Sequence, residues 1–395
     1  MSSLDVVGGV YHELCLANDW DQIFGSAGRA ASALKHHVGE VNLWSYASKD
    51  MAWAFGGYAA TYGFTFVPSD APQTISFEYA HSLSDVVLRP SKEFIQQLPP
   101  IEVSCDSILR FGMVESTAKV KADRCVYDPQ SELTPEPFGA NGSSANHLAI
   151  VANEAEVRLL GKDLDAIEAA RNLLDDRCEV VVVKAGPKGA FVVTTNGVER
   201  VPAYKTDFVW TIGTGDIFAA IFAAQWAANK TAPLFAADAA SRAVAEYVET
   251  MNVEIPPLPE LFGRNRMKVD CVPGRVYLAA PFFNLPQRWI LQESLKYLKS
   301  FGMEVFSPLH EVGMGGDEVA IPDLEGLKGC DRVLALVDGL DSGTLFELGY
   351  ATRMELPIYA LSQSAAKEAL VMLSGTGARM IPDFVTAIHW TVWKV

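Results

Sequence analysis

The sequence predicts an α/β protein folded as two domains. The chain has 395 residues, which is long for a single domain. Continuous β-branched runs such as EVVVVKAG (179–186) alternate with amphipathic stretches such as LDAIEAARNLLDD (164–176), and this alternation is typical of a sheet covered by helices. The alternation of strand-like and helix-like stretches stops in a proline-rich segment at 251–274 and resumes after it. This interruption predicts a linker between two domains.

The N-terminal half supplies most of the elements of the first domain. A hairpin is expected at 190–204, with Asn196 and Gly197 as its turn. The other strands are expected at 4–11, 147–153 and 179–186. Helices are expected at 27–37, 164–176, 215–228 and 234–250.

The C-terminal part repeats the same pattern over a shorter length. Strands are expected at 275–282, 304–308, 331–339 and 356–362. Helices are expected at 288–302, 323–330 and 342–354. A pattern of this size predicts one flavodoxin-like, doubly wound parallel sheet, in which ligands bind beyond the carboxyl ends of the strands.

Charge and composition exclude several classes of partner. The formal net charge is −16, whereas a surface for nucleic acid or an anionic membrane needs clustered Lys and Arg. The apolar stretch 208–228 carries Asp216 near its centre, which favours a buried helix over a membrane span. The six cysteines form no C-x-x-C pair and no signal-peptide pattern opens the sequence, so we expect a cytoplasmic protein with small-molecule ligands.

The stretch SGTLFELGYA (342–351) places one carboxylate, Glu347, among apolar and small residues. It follows a buried strand by about one helical turn, so it is expected to face the cleft above the sheet. Asp341, Asp323 and Tyr277 are expected nearby. Such a carboxylate can attack an anomeric carbon as a nucleophile. The alternative is that these acids cap helices or occupy loops, and spacing alone favours that alternative.

The C-terminal segment resembles the nucleoside 2-deoxyribosyltransferase family. The motifs that carry the resemblance are VYLAAPFF (276–283), FSPLHE (306–311) and PDLEGLKGCDRVLALVDGLDSGTLFELGYA (322–351). The resemblance implies that the protein cleaves or transfers the N-glycosidic bond of a nucleoside. Transfer to a second base and hydrolysis both remain open at this point.

The same resemblance implies roles for individual residues. Glu347 would be the nucleophile, Asp323 would contact and help to protonate the base, and Tyr277 would position Glu347. An acid at 341 disfavours a 5′-phosphate by like-charge repulsion, so we expect a nucleoside rather than a nucleotide. The residues implied to bind substrate are Asp341, Phe283 and Gly343.

A second informative stretch is WTIGTGDIFAA (210–220) in the N-terminal half. Glycines before a helix expose N–H groups that can stabilise a transferring phosphoryl group. Asp216, directly after them, could accept the proton of an attacking hydroxyl. The alternative is a glycine-rich turn in which Asp216 caps the helix. Three companion motifs favour the catalytic interpretation: NEAE (153–156), KAGPKG (184–189) and YDPQS (127–131), which ends another strand. The absence of a G-x-x-x-x-G-K-[ST] motif excludes a P-loop enzyme.

Together these motifs resemble the ribokinase-like (PfkB) family of sugar and nucleoside kinases, over residues 4–250. The resemblance implies a ribokinase-like three-layer domain that uses ATP and Mg²⁺. Asp216 would be the catalytic base, and Glu13 stands where the family has a substrate-binding aspartate. The anion hole would be formed by Gly213, Thr214 and Gly215. The ATP side would be lined by Lys184, Gly186 and Gly189, and Mg²⁺ and phosphate would be organised by Asn153 and Glu156.

Three departures from that family pattern concern the acceptor loop and the segment before the base. Ser26 and Ala30 replace a glycine and an asparagine in GSAGRA (25–30), and Trp210 replaces an acid. These departures fit either an unusual acceptor or a lost kinase activity.

The sequence therefore predicts a kinase-like domain at 1–255, a linker at 256–273 and a deoxyribosyltransferase-like domain at 274–395. We expect a homo-oligomeric, bifunctional enzyme of nucleoside metabolism. Its N-terminal domain would phosphorylate a sugar or nucleoside hydroxyl, and its C-terminal domain would act through a glycosyl-Glu347 intermediate. The alternative is that the kinase-like half is a nucleotide-binding regulatory module of an N-glycosidase.

Overall fold

A computed structural model describes residues 2–131 and 133–395. The chain divides into two compact units. Unit 1 contains the residues up to Thr206 together with Trp210–Lys268, and unit 2 contains Asp207–Val209 together with Val269–Val395. The boundary at 268 and 269 falls inside the segment expected to be a linker. Among the described residues, no helix combines the length and apolar character needed to cross a bilayer.

Unit 1 is built on a nine-stranded sheet in the order β13-β12-β11-β10-β9-β8-β1-β4-β5. The pairs are parallel from β11 to β5, and the hairpin β12–β13 adds two antiparallel strands. The strands of unit 1 are β1 (Ser3–Val7), β2 (His12–Cys15), β3 (Trp20–Ile23), β4 (Glu40–Ala47), β5 (Thr65–Asp70), β6 (Ser76–Tyr79), β7 (Val87–Arg89), β8 (Ile101–Phe111), β9 (Ala118–Asp128), β10 (Ser144–Asn153), β11 (Cys178–Lys184), β12 (Ala190–Thr194), β13 (Gly197–Val201) and β14 (Ala203–Tyr204).

The predicted strands 147–153 and 179–186 and the predicted hairpin are confirmed as β10, β11 and β12–β13. The β-branched residues of β11 are buried, as expected for a central strand covered on both faces. The prediction of one strand over 4–11 is wrong beyond Val7. The chain leaves the sheet at Gly8 and Gly9, where a Cβ would lie 2.7 Å from Phe111 and 2.0 Å from the ring of Tyr11. Only glycine permits these approaches.

After this turn the chain enters a second sheet of unit 1, in the order β3-β2-β6-β7. β2 pairs with β3 in antiparallel and with β6 in parallel orientation. Glu13 lies in β2 and is buried. The sheet therefore brings an acid from near the N-terminus to the same cavity as residues far along the chain.

The described part of unit 1 contains seven α-helices: α1 (Gly25–Ala33), α2 (Lys49–Tyr62), α3 (Glu154–Gly161), α4 (Ala166–Asn172), α5 (Thr214–Ala223), α6 (Pro233–Thr250) and α7 (Leu258–Gly263). α5 continues in π geometry through Ala224–Ala228 and is buried along its length, which confirms the expected buried helix. α7 lies inside the expected linker, where Pro259 occupies the first turn that suits proline.

Unit 2 contains a five-stranded, all-parallel sheet in the order β17-β16-β18-β19-β20. Its strands are β16 (Arg275–Ala279), β17 (Glu304–Phe306), β18 (Arg332–Leu336), β19 (Ile358–Leu361) and β20 (Arg379–Ile381), preceded by β15 (Lys268–Val269) at the boundary. Its helices are α8 (Leu285–Ser300), α9 (Pro308–Glu311), α10 (Ala320–Lys328), α11 (Ser342–Arg353), α12 (Val371–Gly375) and α13 (Phe384–Trp393). The order 2-1-3-4-5 is that of the flavodoxin-like type.

The buried Arg332 of β18 holds the end of α13 in place. Its guanidinium donates to the carbonyl oxygens of Thr391 at 3.0 Å and Val272 at 2.9 Å, and it also pairs with the neighbouring Asp331 at 2.8 Å. Each buried carbonyl left unpaired would cost about 1–3 kcal/mol, so this one side chain stabilises the C-terminal helix against the sheet. Neither β20 nor α13 was predicted from the sequence.

Candidate active sites

The glycine turn of unit 1 starts helix α5. Gly213 has a φ of 78°, a left-handed conformation that favours glycine. The N–H groups of Gly213 and Gly215 donate no hydrogen bond within the part of the chain that the structure describes. Thr214 differs, because its N–H and hydroxyl both donate to the carbonyl oxygen of Thr211. The turn therefore offers two free N–H groups at the positive end of a helix, a suitable arrangement for an anion.

A cavity of about 260 Å³ opens beside this turn. Glu13, Arg29 and Asp216 line it together with aromatic residues such as Tyr79. Arg29 forms an ion pair with Asp216 at 2.8 Å and a second one with Glu13. Gln130 donates to the other oxygen of Asp216 at 3.1 Å. The structure thus brings the predicted base and the predicted substrate-binding acid to one cavity.

Three neighbouring parallel strands, β9, β10 and β11, end in polar residues at one edge of the sheet: Asp128, Asn153 and Lys184. Lys184 forms an ion pair with Asp128 at 2.5 Å. Burial raises the pKa of Asp128, although the neighbouring Lys184 opposes the shift. Burial alone would lower the pKa of Lys184, but the carboxylates of Asp128 and Glu156 outweigh burial and raise it. A Cβ on Gly215 would lie 3.2 Å from Lys184 Nζ, so this cation lies against the glycine turn.

Asn153 and Glu156 form the capping box of α3. The Asn153 side chain accepts from the N–H of Glu156, and one oxygen of Glu156 accepts from the N–H of Asn153. The other oxygen accepts from the N–H of Ser131 at 2.8 Å. Both residues therefore hold backbone in this structure, and Glu156 orders the chain after β9.

The two glycines expected on the ATP side differ in their surroundings. A Cβ on Gly186 would meet nothing within 4 Å, so the backbone there is open to a ligand. A Cβ on Gly189 would lie 2.1 Å from the carbonyl oxygen of Val201. Gly189 therefore allows two chain segments to approach closely at the start of β12.

Unit 2 brings Tyr277, Asp323 and Glu347 into one electrostatic cluster. Burial raises the pKa of Glu347 to about 7; Asp323 and Asp341 add to the shift, and Tyr277 opposes it. Burial also raises the pKa of Asp323, whose Oδ1 is enclosed and has no hydrogen-bond partner among the described residues. The Tyr277 hydroxyl is buried and has no hydrogen-bond partner among the described residues, but Tyr277 and Glu347 lie near enough for each to shift the pKa of the other. These are the features of a partly desolvated acid pair.

The residues implied to bind substrate in unit 2 have distinct settings. Asp341 caps α11 and accepts from the N–H of Thr344 at 2.7 Å. Gly343 is exposed next to it, and a Cβ there would lie 3.2 Å from the Asp341 carboxylate. Phe283 is 68% exposed before α8. Asp341 therefore contributes both to helix capping and to the charge around Glu347.

The sequence motifs assign no role to Arg29, and they include Asp128 and Gln130 only as part of YDPQS (127–131), without individual roles. The signal for Arg29 was present, because a lone cation in the small-residue helix AGRAASA is buried only where acids compensate it. Within the described residues, no group of three or more His, Cys, Asp or Glu side chains is arranged to hold a metal ion.

Comparison with known proteins identifies two family segments. Residues 117–256 match the pfkB family carbohydrate kinase model, and residues 276–379 match the Nucleoside 2-deoxyribosyltransferase model. The resemblance of the chain to these two families is confirmed.

The curated relatives match the chain over part of their length. A 5-dehydro-2-deoxygluconokinase from Listeria innocua is 25% identical over 179 residues, which cover 40% of this chain and 55% of the relative. A deoxyribokinase from Salmonella typhi is 37% identical over 99 residues, 22% of this chain and 32% of the relative. The chain thus spans about half the length of the first relative and a third of the second.

A solved fructokinase from Vibrio cholerae shares the fold. The two structures superpose with a TM-score of 0.50 at 16% identity, over 67% of this chain and 98% of the fructokinase. The expected ribokinase-like fold is confirmed, and the parallel sheet of unit 2 fits the expected flavodoxin-like description.

Glu347→Gln should change how the stability of unit 2 depends on pH. The pKa of Glu347 is about 7 in the folded protein against an ordinary 4.5, so its contribution is fully present below pH 4.5 and is lost as the pH rises through 7. Relative to Glu347→Gln, the wild type should lose about 1–2 kcal/mol between pH 5 and 8. Hydrogen exchange of peptides from α11 measures the free energy of unfolding at each pH. Glu355→Gln is the control, because Glu355 is exposed. If the difference in free energy of unfolding between wild type and Glu347→Gln stays constant from pH 5 to 8, the raised pKa of Glu347 is contradicted.

Proposed function

We propose that this chain, which joins a segment matching pfkB carbohydrate kinases to one matching nucleoside 2-deoxyribosyltransferases, is a bifunctional enzyme of nucleoside metabolism. Unit 2 cleaves or transfers the N-glycosidic bond of a 2′-deoxynucleoside. Unit 1 uses ATP to phosphorylate a hydroxyl of the sugar.

One observation carries the proposal for unit 2. Glu347 is a half-buried carboxylate with a pKa near 7, placed beside Tyr277 and the enclosed Asp323 oxygen. A carboxylate with little hydration interacts strongly with positive charge that develops on a sugar. Asp323, whose pKa is also raised, retains its proton more readily than an exposed aspartate. The match of residues 276–379 to nucleoside 2-deoxyribosyltransferases supports Glu347, in its ionised form, as the nucleophile and Asp323 as the proton donor.

The glycosidic reaction proceeds by double displacement. A Glu347 oxygen attacks the anomeric carbon as the bond from that carbon to the base nitrogen breaks, and Asp323 donates a proton to the departing base. Tyr277 orients the Glu347 carboxylate before the attack. Attack by a second base or by water then releases the sugar from Glu347. The configuration at the anomeric carbon is retained because it inverts twice.

The proposal for unit 1 is supported by Asp216, which faces the cavity at the start of α5. Asp216 accepts the proton of the acceptor hydroxyl, and the free N–H groups of Gly213 and Gly215 stabilise negative charge on the transferring phosphoryl group. The Salmonella typhi relative named a deoxyribokinase favours a deoxyribose acceptor. Such an acceptor is also the sugar that unit 2 would release.

The charged groups beside the glycine turn fit ATP and Mg²⁺. Lys184 lies against Gly215 and would contact the phosphates, with the open backbone at Gly186 on the same side. Asp128 Oδ1 is buried without a hydrogen-bond partner among the described residues, and carboxylate oxygen suits Mg²⁺ and its bound waters. Glu156 and Asn153 hold the neighbouring backbone. When bound, Mg²⁺ would neutralise charge on the phosphates.

A second candidate function is favoured by the hydrogen bonds of Asp216. Both of its oxygens accept hydrogen bonds, from Arg29 and from Gln130. A base engaged in this way fits a regulatory nucleotide-binding module as well as an active kinase. An active kinase turns over ATP in the presence of an acceptor, whereas a regulatory module binds ATP without turnover.

Glu347→Ala and Glu347→Gln should lower base release and base exchange by at least about 10³-fold, since neither side chain can attack the anomeric carbon. Mass spectrometry of wild-type protein quenched during turnover should show one glycosyl unit on the peptide that carries Glu347. Glu355→Ala, at an exposed position after the same helix, is the matched control. Inverted product without an adduct would contradict the covalent intermediate.

Asp216→Asn should lower phosphoryl transfer to deoxyribose by roughly 10²–10⁴-fold and leave ATP binding nearly unchanged, because the base acts on the acceptor hydroxyl. Coupled detection of ADP measures the rate, and calorimetry measures ATP binding. Asp165→Asn is the control, since asparagine also caps α4. Near-normal turnover by Asp216→Asn would exclude the assigned role. A wild type that binds ATP but turns over no acceptor would favour the regulatory module.

A further inference from the structure

Arg29 is a buried cation inside the acceptor cavity of unit 1. It is 1% exposed and lies between the carboxylates of Glu13 and Asp216. It also packs against the glycine turn, because a Cβ on Gly213 would lie 2.2 Å from Arg29 Nε. The side chain therefore contacts both acids of the cavity and the start of α5.

The hydrogen-bond donors of Arg29 are largely committed to the protein. Nε donates to the Tyr247 hydroxyl at 3.1 Å, and that hydroxyl in turn donates to the Ile212 carbonyl oxygen at 2.9 Å. Nη1 donates to Asp216 at 2.8 Å, and Nη2 donates to Glu13. An anionic substrate would find most of the N–H groups of the guanidinium already engaged by the protein. The geometry therefore favours a role in which Arg29 acts on the two carboxylates rather than on a ligand.

The other titratable groups of the site do not replace this cation. Lys184 interacts electrostatically with Asp216, but its larger interactions are with Asp128, its ion-pair partner, and with Glu156. Among the described residues, further titratable groups near the acids and Arg29 are Tyr79, Tyr247, Asp128 and Glu156. Without the guanidinium, Glu13 and Asp216 would be two carboxylates in one enclosed cavity, and like charges there favour protonation of one of them. A protonated Asp216 cannot accept the proton of an acceptor.

We propose that Arg29 is a positioning residue for phosphoryl transfer, which keeps Glu13 and Asp216 ionised together and holds Asp216 at the acceptor side of the glycine turn. The inference rests on the proposed kinase activity of unit 1. In the step itself, the acceptor oxygen bonds to the γ-phosphorus, its proton passes to Asp216, and the bond from phosphorus to the ADP oxygen breaks. Arg29 neither gains nor loses a proton.

The test compares Arg29→Gln, Arg29→Lys and Glu13→Gln in the full chain. The readout is the acidic limb of the pH profile of kcat/KM, with deoxyribose and ATP–Mg²⁺ as substrates. Arg29→Gln should move this limb up by about 1–3 pH units. Arg29→Lys keeps the charge and should leave the limb near its wild-type position. Glu13→Gln removes the competing carboxylate and should move the acidic limb to lower pH. Loss of structure would not produce a shift in that direction.

A second readout does not depend on kinase activity. The difference in Tm between wild type and Arg29→Gln should widen from pH 5 to 8, since ionisation of the unpaired acids then opposes folding. Arg110→Gln is the matched control: Arg110 is also buried in unit 1, but its partner Glu136 has a 37% exposed side chain and can be hydrated. Its Tm difference should stay nearly constant with pH.

The outcomes separate this inference from the proposed function. An unmoved acidic limb in Arg29→Gln, or a Tm difference as constant as that of Arg110→Gln, would overturn the inference. If Arg29→Gln does not fold, Glu13→Gln decides. An acidic limb of kcat/KM that moves to lower pH in Glu13→Gln supports the role of Arg29, and a limb that stays in place or moves to higher pH overturns it. A wild type without phosphoryl transfer contradicts the kinase proposal instead, and the Tm difference alone then decides whether Arg29 keeps the acids ionised.

Discussion

A carboxylate that is taken out of water holds its proton more tightly unless a cation or a hydrogen-bond donor compensates it. Both units of this chain place carboxylates under that constraint, and they meet it in different ways. In unit 2 little compensates Glu347, so its pKa rises to about 7. In unit 1 the buried Arg29 lies between Glu13 and Asp216. The weakly compensated Glu347 suits attack on a sugar that develops positive charge, and the ion-paired Asp216 suits acceptance of a proton.

The parallel sheets explain why these acids meet where they do. Strands that run in one direction bring their carboxyl ends to one edge, and the helices that follow start there. In unit 1 this edge carries Asp128, Asn153 and Lys184 next to the glycine turn of α5. In unit 2 it carries the start of α11, with Asp341 as its cap and Glu347 one turn later. The fold therefore determines where these acids lie, and burial determines how their pKa values shift.

The sequence predicts features that depend on neighbouring residues. The buried strand β11 follows from its β-branched run, and the start of α5 follows from the glycines before Asp216. Glu347 was placed correctly in a helix after a buried strand. Local periodicity and turn chemistry are sufficient for such elements because the interactions that decide them lie within a few residues.

Features that depend on distant residues could not be predicted in this way. The ion pair between Arg29 and Asp216 joins positions 187 residues apart, and no periodicity signals it. The break after Val7 depends on Phe111 and Tyr11 packing against Gly8 and Gly9. The capping box of Asn153 and Glu156 was visible as a motif, but its use of both Glu156 oxygens on backbone N–H groups required the structure.

In the proposed function, the two carboxylate sites act in sequence on the same sugar when water, rather than a second base, releases the sugar from Glu347. The most direct test incubates the full chain with a 2′-deoxynucleoside labelled in the sugar, together with ATP and Mg²⁺, and follows the label by chromatography. The wild type should give free base and labelled deoxyribose phosphate. Glu347→Ala should give neither product, although that variant should still phosphorylate added deoxyribose. Labelled sugar phosphate formed from the nucleoside by Glu347→Ala, or a phosphorylated nucleoside that keeps its base, would contradict the account.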